Sequence, residues 1–590
     1  METIEILRQY WQYDSFRPLQ EEIIQSVMDG RDTLALLPTG GGKSLCFQVP
    51  AMAKPGICLV ISPLIALMKD QTEQLRRKNI TAFALYAGMS RKDVVNTLQV
   101  VTSSNCKFLY VSPERLESDL FSEWLPSLPI SLLAVDEAHC VSQWGYDFRP
   151  SYLRIASIRE ETSAPLLALT ASATPEVLDD IQLRLGMKNS VVFRGSFTRP
   201  NLSYSHFTVE KPITKITEIL QKVPGSGIVY CKTRRATRDI ADQLVRMGFT
   251  AGAYHAGLTH EERSKAQDAW LKDQLRVIVS TNAFGMGIDK PGVRTVIHTD
   301  PPESPEAYYQ EAGRAGRDGN KAYAVLLSQA SDAARLEQMP ETRFPPVEKI
   351  RPVYQDLMNY LQLPVASGEK SYFDFDVNKF TDVFNLDMTT AMTMLKVVEG
   401  EGLLSFLQQV SLPARLRFIT NKENLYDFEN SHEELQPLIE ILLRTYEGIF
   451  DRPVSIREKH LAWLLRKEPA QIIADIQRLQ AFGIVDYTPR KDEPQLYFLR
   501  DRPAAEDFYI DPLGYRLRKE QYAARVHTMV RYLGLTEQCR SRFLAHYFGD
   551  KEAKDCGICD NCLKRAGKSN SDTRPGPGLR PPVGPARRPR

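Results

Sequence analysis

The sequence predicts an α/β protein: two parallel-sheet domains in tandem, then helix–glycine–strand repeats, then a small four-cysteine module. Three observations carry this. Short apolar runs of strand length alternate with helical patterns over residues 1–345, and the pattern restarts once, near 207. After about 345 the composition turns helical and two segments repeat. Four of the nine cysteines crowd into residues 539–562.

In the first set, ICLVIS (57–62), KFLYVS (107–112), SLLAVD (131–136) and LLALTAS (166–172) each end in small or polar residues. That is the pattern of a parallel sheet with function at the C-terminal ends of its strands. GIVYC (227–231), TAGAYH (250–255), RVIVST (276–281), TVIHTD (295–300) and AYAVLLS (322–328) form the second set. Farther on, MLKVVEGEGLLSF (394–406) and DIQRLQAFGIVDY (475–487) align on a glycine. Leu395 matches Ile476, Val398 matches Leu479, Gly402 matches Gly483 and Phe406 matches Tyr487. Each reads as a helix with a glycine cap entering a strand, the outline of a winged helix; two ordinary capped amphipathic helices are the alternative. The expected domains are therefore 1–205, 206–345, a winged-helix-like region at 346–505, a cysteine module at 506–565 and a tail at 566–590. The tail is rich in Pro, Gly and Arg, cannot build a core and is expected to be disordered.

Composition bounds the function classes. Hydrophobic residues make up 43% and charged residues 25%, ordinary for a globular chain. No apolar run approaches the roughly 18–20 residues that span a bilayer. METIEILRQYWQYDSF lacks the pattern of a signal peptide, so a cytoplasmic protein without a membrane partner is expected. Net charge is +2, of which the last 25 residues supply +5. Global charge therefore does not announce a nucleic-acid binder, and such a reading needs local features.

One local feature is LLPTGGGKS (36–44), between an apolar run and an apolar helical stretch. A glycine-rich turn opening a helix presents backbone N–H groups to phosphates, and the helix dipole favours the anion. Thr39, Gly40 and Gly42 belong to this loop, Lys43 would reach the β/γ-phosphates and Ser44 would ligate Mg²⁺. Leu37 stands where the strict pattern has glycine, so the match is the relaxed form. DEAH (136–139) supplies the other half. Asp136, at a strand end, would hold Mg²⁺ through water, and Glu137 would orient or deprotonate the attacking water. His139 is expected to couple this site to the aromatic-rich segment that follows. In QEAGRAGRDG (310–319), Arg314 and Arg317 are expected on one helix face, delivered across the domain cleft to a transferring phosphoryl group.

Cys539, Cys556, Cys559 and Cys562 fit C-x₁₆-C-x₂-C-x₂-C. Four thiolates suit tetrahedral Zn²⁺ with no position left open, hence a structural site; an iron–sulfur cluster is the alternative.

The order FRPLQ (16–20), PTGGGKS, SPLIALMKDQ (62–71), DEAH, TASAT (170–174), IVYC, STNAFGMGIDKP (280–291) and QEAGRAGRDG resembles the superfamily 2 helicases. FRPLQ, HCVSQWGYDFRPSY (139–152), FTRPNL (197–202), FGMGIDKP and the terminal CGICDNCL resemble the RecQ family of DNA helicases in particular. The resemblance is dense over about 1–340, clear over 535–563 and thin between. It implies two RecA-like motor domains, use of ATP, Mg²⁺ and Zn²⁺, and movement 3′ to 5′ on single-stranded DNA, with forked DNA as a partner. It also implies that Tyr13 stacks on adenine, that Arg17 and Gln20 recognise its edge, and that Asp289 lies near the ribose or the coupling network. The segment after DEAH is then an aromatic-rich loop touching single-stranded DNA through Trp144, Phe148 and Arg149. We expect that loop to stay mobile until a strand engages it. The family commonly places its zinc module soon after the motor and a winged helix behind it; here the winged-helix-like repeats come first. Two other readings stand beside this one: an RNA helicase, since DEAH occurs there too, and a DNA-binding winged-helix protein with an idle motor.

Overall fold

The computed structural model describes residues 2–38, 40–284, 290–407, 414–490 and 494–567. Two expected site residues, Thr39 and Asp289, and most of the basic tail lie outside the described residues. Among the described residues no helix is long and apolar enough to cross a membrane.

The first domain is built on β1 (Thr33–Leu36), β2 (Ile57–Ile61), β3 (Ala82–Leu85), β4 (Phe108–Val111), β5 (Ile130–Val135), β6 (Leu166–Thr170) and β7 (Val191–Arg194). Their order across the sheet is β3-β4-β2-β5-β6-β1-β7, all parallel. The uninterrupted apolar runs are explained by burial on both faces: every residue of β1, β2, β4 and β6 is buried. The second domain carries β8 (Leu202–Thr208), β9 (Ser226–Tyr230), β10 (Ala251–Tyr254), β11 (Val277–Ser280), β12 (Val293–His298) and β13 (Ala322–Ser328), in the order β10-β11-β9-β12-β13-β8. Each sheet places its strands' C-terminal ends, and hence the motif loops, along one edge of the domain.

The glycine repeat is real in three dimensions. The helices Met388–Gly400 and Pro469–Ala481 each lead through a glycine, Gly402 and Gly483, with φ of +69° in both. Left-handed φ is what glycine reaches without steric cost. Leu395, Val398, Ile476 and Leu479 are all fully buried, so the matched positions are core positions of two separate units. The first unit has β14 (Tyr372–Asp374), β15 (Leu404–Leu407) and β19 (Gln495–Phe498); the second, lying between β15 and β19, has β16 (Ala414–Phe418), β17 (Val454–Ile456) and β18 (Val485–Thr488). Their sheets run β14-β19-β15 and β17-β16-β18. The spatial order is the same, but the middle strand comes last in the first unit and first in the second. The second unit is thus a permuted winged helix inserted into the wing of the first. Leu407 pairs with Gln495 and Arg415 with Thr488, so eight residues forward on one side match seven back on the other.

This whole block is an insertion between motor and cysteine module. The Asp332–Arg343 helix packs along the Pro512–Leu533 helix. Phe344, on entry, lies 5.4 Å from the ring of Tyr515, on exit, and the Tyr515 hydroxyl donates to Pro345 O at 2.7 Å. The cysteine module therefore does follow the motor directly in space; the intervening sequence loops out and returns. The block docks on the first domain through Lys370–Asp119, Arg415 on Asp93 and Ser90, and an apolar contact of Leu407 and Tyr497 with Ala87. It reaches the second domain through Lys459 on Glu261.

Candidate functional site

The glycine loop joins β1 to the Leu45–Ala53 helix. Gly40 and Gly42 have φ of +83° and +76°, a course a side chain would strain. A Cβ on Gly42 would also lie 2.4 Å from Gln20 Nε2. Gln20 Nε2 donates to Gly41 O and Gly42 O, at 3.2 and 3.0 Å, and Arg17 Nη1 donates to Gly40 O. Arg17 and Gln20 thus hold the loop's carbonyls, while Tyr13 stands clear with 52% of its surface exposed. Ser44 stands at the N-cap position of the following helix, its hydroxyl making no capping hydrogen bond.

β5 delivers the acids. Glu137 has φ +47°, unusual for a non-glycine residue and held by Cys140 N donating to Glu137 O at 2.9 Å. This kink turns Glu137 toward the loop, where Lys43 Nζ is 3.8 Å from its Oε1. Asp136 Oδ1 accepts from Glu137 N at 3.0 Å. Burial and the neighbouring Glu137 charge push the Asp136 carboxyl up to about 6, against the opposing pull of Lys43. In the metal-free protein, a raised carboxyl stabilises the fold most below the unfolded value of 3.8, and this is lost as pH rises through about 6. Cation binding runs the other way, because it needs the ionised form. Mg²⁺–ATP affinity is therefore expected to fall as pH drops below about 6, and calorimetric titration above and below that pH checks it.

From Glu137 a polar chain crosses to the second domain. His139, fully buried, places Nδ1 3.4 Å from Glu137 Oε2 and 3.0 Å from Thr170 Oγ1 at the end of β6. Burial depresses its pKa, so the ring is neutral there. Ser172 N donates to Thr170 Oγ1 at 3.4 Å, and Ser172 Oγ accepts from Gln310 Nε2 at 2.9 Å. Gln310 belongs to the second domain's Pro305–Ala312 helix. Thr170, Ser172 and Gln310 were not among the expected site residues, although each lies inside one of the two motifs TASAT and QEAGRAGRDG.

The arginines need correction. The helix stops at Ala312, so Arg314 and Arg317 are not on one helix face. They lie in the turn that follows, where Gly316 (φ +64°) reverses the chain. Arg199 donates to Gly313 O, Ala315 O and Gly316 O, and Asn201 Nδ2 to Gly316 O at 2.7 Å, which fixes that turn from FTRPNL. Arg314 is buried beside Tyr230. Arg317 reaches the glycine loop: a Cβ on Gly40 would sit 3.1 Å from its Cγ.

The aromatic-rich loop, expected to be mobile, is tied down. The Tyr146 ring stacks on His139 at 4.8 Å. Arg149 pairs with Asp147 at 3.4 Å and donates to Pro63 O at 3.4 Å. Trp144, half-buried, accepts at its backbone oxygen from Arg525 of the Pro512–Leu533 helix at 3.0 Å. Phe148 is half-buried. Burial pushes Glu399 of the first winged-helix unit up to about 7, and Arg149, Asp147 and Lys396 all act on it electrostatically. The loop therefore touches His139, the histidine beside Glu137, on one side and both accessory modules on the other.

The four module cysteines bring their sulfurs within 4.8 Å of one another, with Cys539–Cys556 at 3.5 Å and Cys539–Cys559 at 3.9 Å. Bonds of about 2.3 Å in a tetrahedron give sulfur–sulfur edges of about 3.8 Å, so the set fits zinc. Backbone N–H groups of Arg542, Cys556, Cys559 and Cys562 point at these sulfurs, which favours the thiolates a metal requires. The other five cysteines are buried and unpaired. Buried Arg540 clamps Asp560 at 2.7 and 2.9 Å, and Asp560 also accepts from His206 N of β8 at 3.0 Å. Phe548 stacks on Phe197 at 4.5 Å, completing the seat on the motor.

Comparison with known proteins accords with this architecture. Residues 17–181 match the family model for the DEAD/DEAH box helicase and 211–319 that for the helicase conserved C-terminal domain. Residues 416–489, most of the inserted second unit, match the RecQ helicase winged-helix domain of Bacteroidota, and 505–563 match the RecQ zinc-binding domain. The ATP-dependent DNA helicase RecQ of Haemophilus influenzae is 42% identical over 346 residues, 58% of this chain and 56% of that protein. The probable ATP-dependent DNA helicase RecS of Bacillus subtilis is 41% identical over 358 residues, 60% of this chain and 72% of that one. The RecQ of Bacillus subtilis is 44% identical over 332 residues, 55% of this chain and 56% of that one. The chain thus spans little more than half the length of the RecQ proteins it matches. Motor, winged helix and cysteine module together place the chain in the RecQ family of ATP-dependent DNA helicases.

Proposed function

We propose that the chain is an ATP- and Mg²⁺-dependent DNA helicase that moves 3′ to 5′ on single-stranded DNA and opens forked duplexes during recombination and repair, in the cytoplasm. The observation that supports it best is the polar chain from Glu137 through His139, Thr170 and Ser172 to Gln310, with Arg317 against Gly40. It ties the state of the nucleotide to the position of the second domain. In this reading Lys43 and Arg317 bear on the phosphates, Ser44 and Asp136 hold Mg²⁺, Glu137 acts on water, and Arg314 props the turn from within. Thr39 and Asp289 keep the nucleotide roles that the family implies. The cleft closes on ATP and opens after hydrolysis, and each cycle advances the strand. Opening one base-pair step costs about 1.4 kcal/mol on average, a load that one hydrolysis per step can carry.

ATP hydrolysis measured with single-stranded DNA and with RNA of equal length tests this directly. DNA is expected to stimulate and RNA to do so far less; equal or greater stimulation by RNA would reverse the assignment. Trp144→Ala is expected to cut stimulation by DNA roughly tenfold, the order of one base–aromatic stack, while nucleotide affinity stays within about twofold. Collapse of nucleotide binding would instead make the Trp144 loop a hydrophobic plug.

A further inference from the structure

The turn after DEAH brings together donors that the ATP site does not use. His139 and Cys140 lie in the 3₁₀ turn Ala138–Val141, and neither has any exposed surface. The chain leaves through Ser142 and comes back, because Arg149 N donates to Cys140 O at 2.9 Å. Gly145 lets the loop close: a Cβ there would lie 2.7 Å from His139 O. The return sets Asp147 over the turn, its Oδ2 3.8 Å from Cys140 Sγ. A ring nitrogen of His139, the Cys140 sulfur and an Asp147 oxygen all lie within 4.8 Å of one another. Imidazole, thiolate and carboxylate together suit zinc rather than Mg²⁺ or Ca²⁺, which take oxygen ligands.

His139 is oriented as a ligand would be. Its Nδ1 faces Glu137 Oε2 and Thr170 Oγ1. Beside a carboxylate, Nδ1 of the neutral ring carries the proton, which leaves the lone pair on Nε2. Nε2 is buried and has no hydrogen-bond partner among the described residues. A carboxylate behind a histidine whose far nitrogen is free is the arrangement that prepares imidazole for a metal. The sizes agree as well. Zinc bonds of about 2.3 Å to sulfur and about 2.1 Å to oxygen give a tetrahedral edge of about 3.6 Å, against the 3.8 Å between Cys140 and Asp147. The opposing charge is Arg149, 3.4 Å from Asp147, which keeps its contact with Pro63 O when that pairing opens. Residues 143–149 are half-buried, and 33% of the Asp147 side chain is in solvent, so the way in passes Asp147.

We propose that His139, Cys140 and Asp147 form a second zinc site, with three protein ligands and one open position, which pins the aromatic-rich loop to the turn after DEAH and uncouples ATP hydrolysis from DNA when free zinc rises. The metal replaces the thiol proton, which passes to solvent. The uncoupling rests on the DNA-helicase reading; the metal site does not. The test uses the full chain with the zinc of its cysteine module in place. Equilibrium dialysis against excess Zn²⁺ without nucleotide, followed by elemental analysis, is expected to find one more zinc in the parent than in Cys140→Ser or Cys140→Ala. Both variants should hold the resident ion, which a chain that had lost its fold would not. With the extra site about nine-tenths filled, DNA-stimulated hydrolysis by the parent should fall about tenfold, while both variants stay within about twofold of their zinc-free rate. A parent that takes up no zinc beyond the resident ion overturns the site whatever the variants do, and so does an extra zinc that both variants keep. An extra zinc lost in the variants, with no fall in stimulation of the parent, overturns the uncoupling. A parent that DNA never stimulates contradicts the helicase reading, while dialysis still decides the site.

Discussion

Lys43→Ala is expected to lower DNA-stimulated ATP hydrolysis by about 10³-fold or more, with single-strand binding and melting temperature little changed. Two effects act together. In the proposed mechanism the substitution removes the glycine loop's own cation, leaving only Arg317 of the second domain to bear on the phosphates. It also removes the charge that opposes protonation of Asp136, so the carboxyl rises further and holds Mg²⁺ less well. Against these, the loss to the fold is small, because the pairing with Glu137 is 3.8 Å long and partly solvated. Steady-state hydrolysis with and without DNA, beside a melting curve, checks the result. Retained stimulation by DNA in this variant would contradict the site.

Removing the metal from the cysteine module is expected to unfold residues 512–565. Structural zinc contributes about 10–16 kcal/mol, comparable with the whole stability of an ordinary domain. The effect should not stay local. The module seats Phe548 on Phe197, Tyr532 on Tyr308 and Tyr547 on Glu306, and its long helix closes the neck of the winged-helix insertion. Cys559→Ser, or chelation, should therefore make the 344–515 neck protease-sensitive as well as the module itself. Elemental analysis of the parent is expected to show about one zinc per chain. Iron with labile sulfide would contradict the assignment.

The sequence made the nucleotide loop, the acids and the cysteines legible because each depends on local spacing: a glycine turn before a helix, two carboxylates at a strand end, paired C-x₂-C bites. The central strands were legible as unbroken apolar runs. Short segments such as AFAL (82–85) and VVFR (191–194) were not, since four residues at the rim of a sheet, mixed in their burial, carry little periodicity. Arg314 and Arg317 were found but misplaced, because Gly316 takes a left-handed turn whose position is fixed by Arg199 and Asn201, over a hundred residues away in the chain. The unusual order of modules had the same origin. That Phe344 meets Tyr515, and that one winged helix sits inside the wing of another, are facts of long-range pairing. The repeat around Gly402 and Gly483 announced two units, and the nesting lay in the strand order.

The proposed function requires above all a motor that converts ATP into strand separation on DNA. Its most direct test is displacement of a labelled strand from duplexes carrying either a 3′ or a 5′ single-stranded tail, with ATP and Mg²⁺, by the parent and by Lys43→Ala. The parent should release the strand from the 3′-tailed duplex, fail on the 5′-tailed one and stop without ATP, and the variant should release neither. Release by the variant, equal release from both tails, or release of RNA duplexes alone would contradict it.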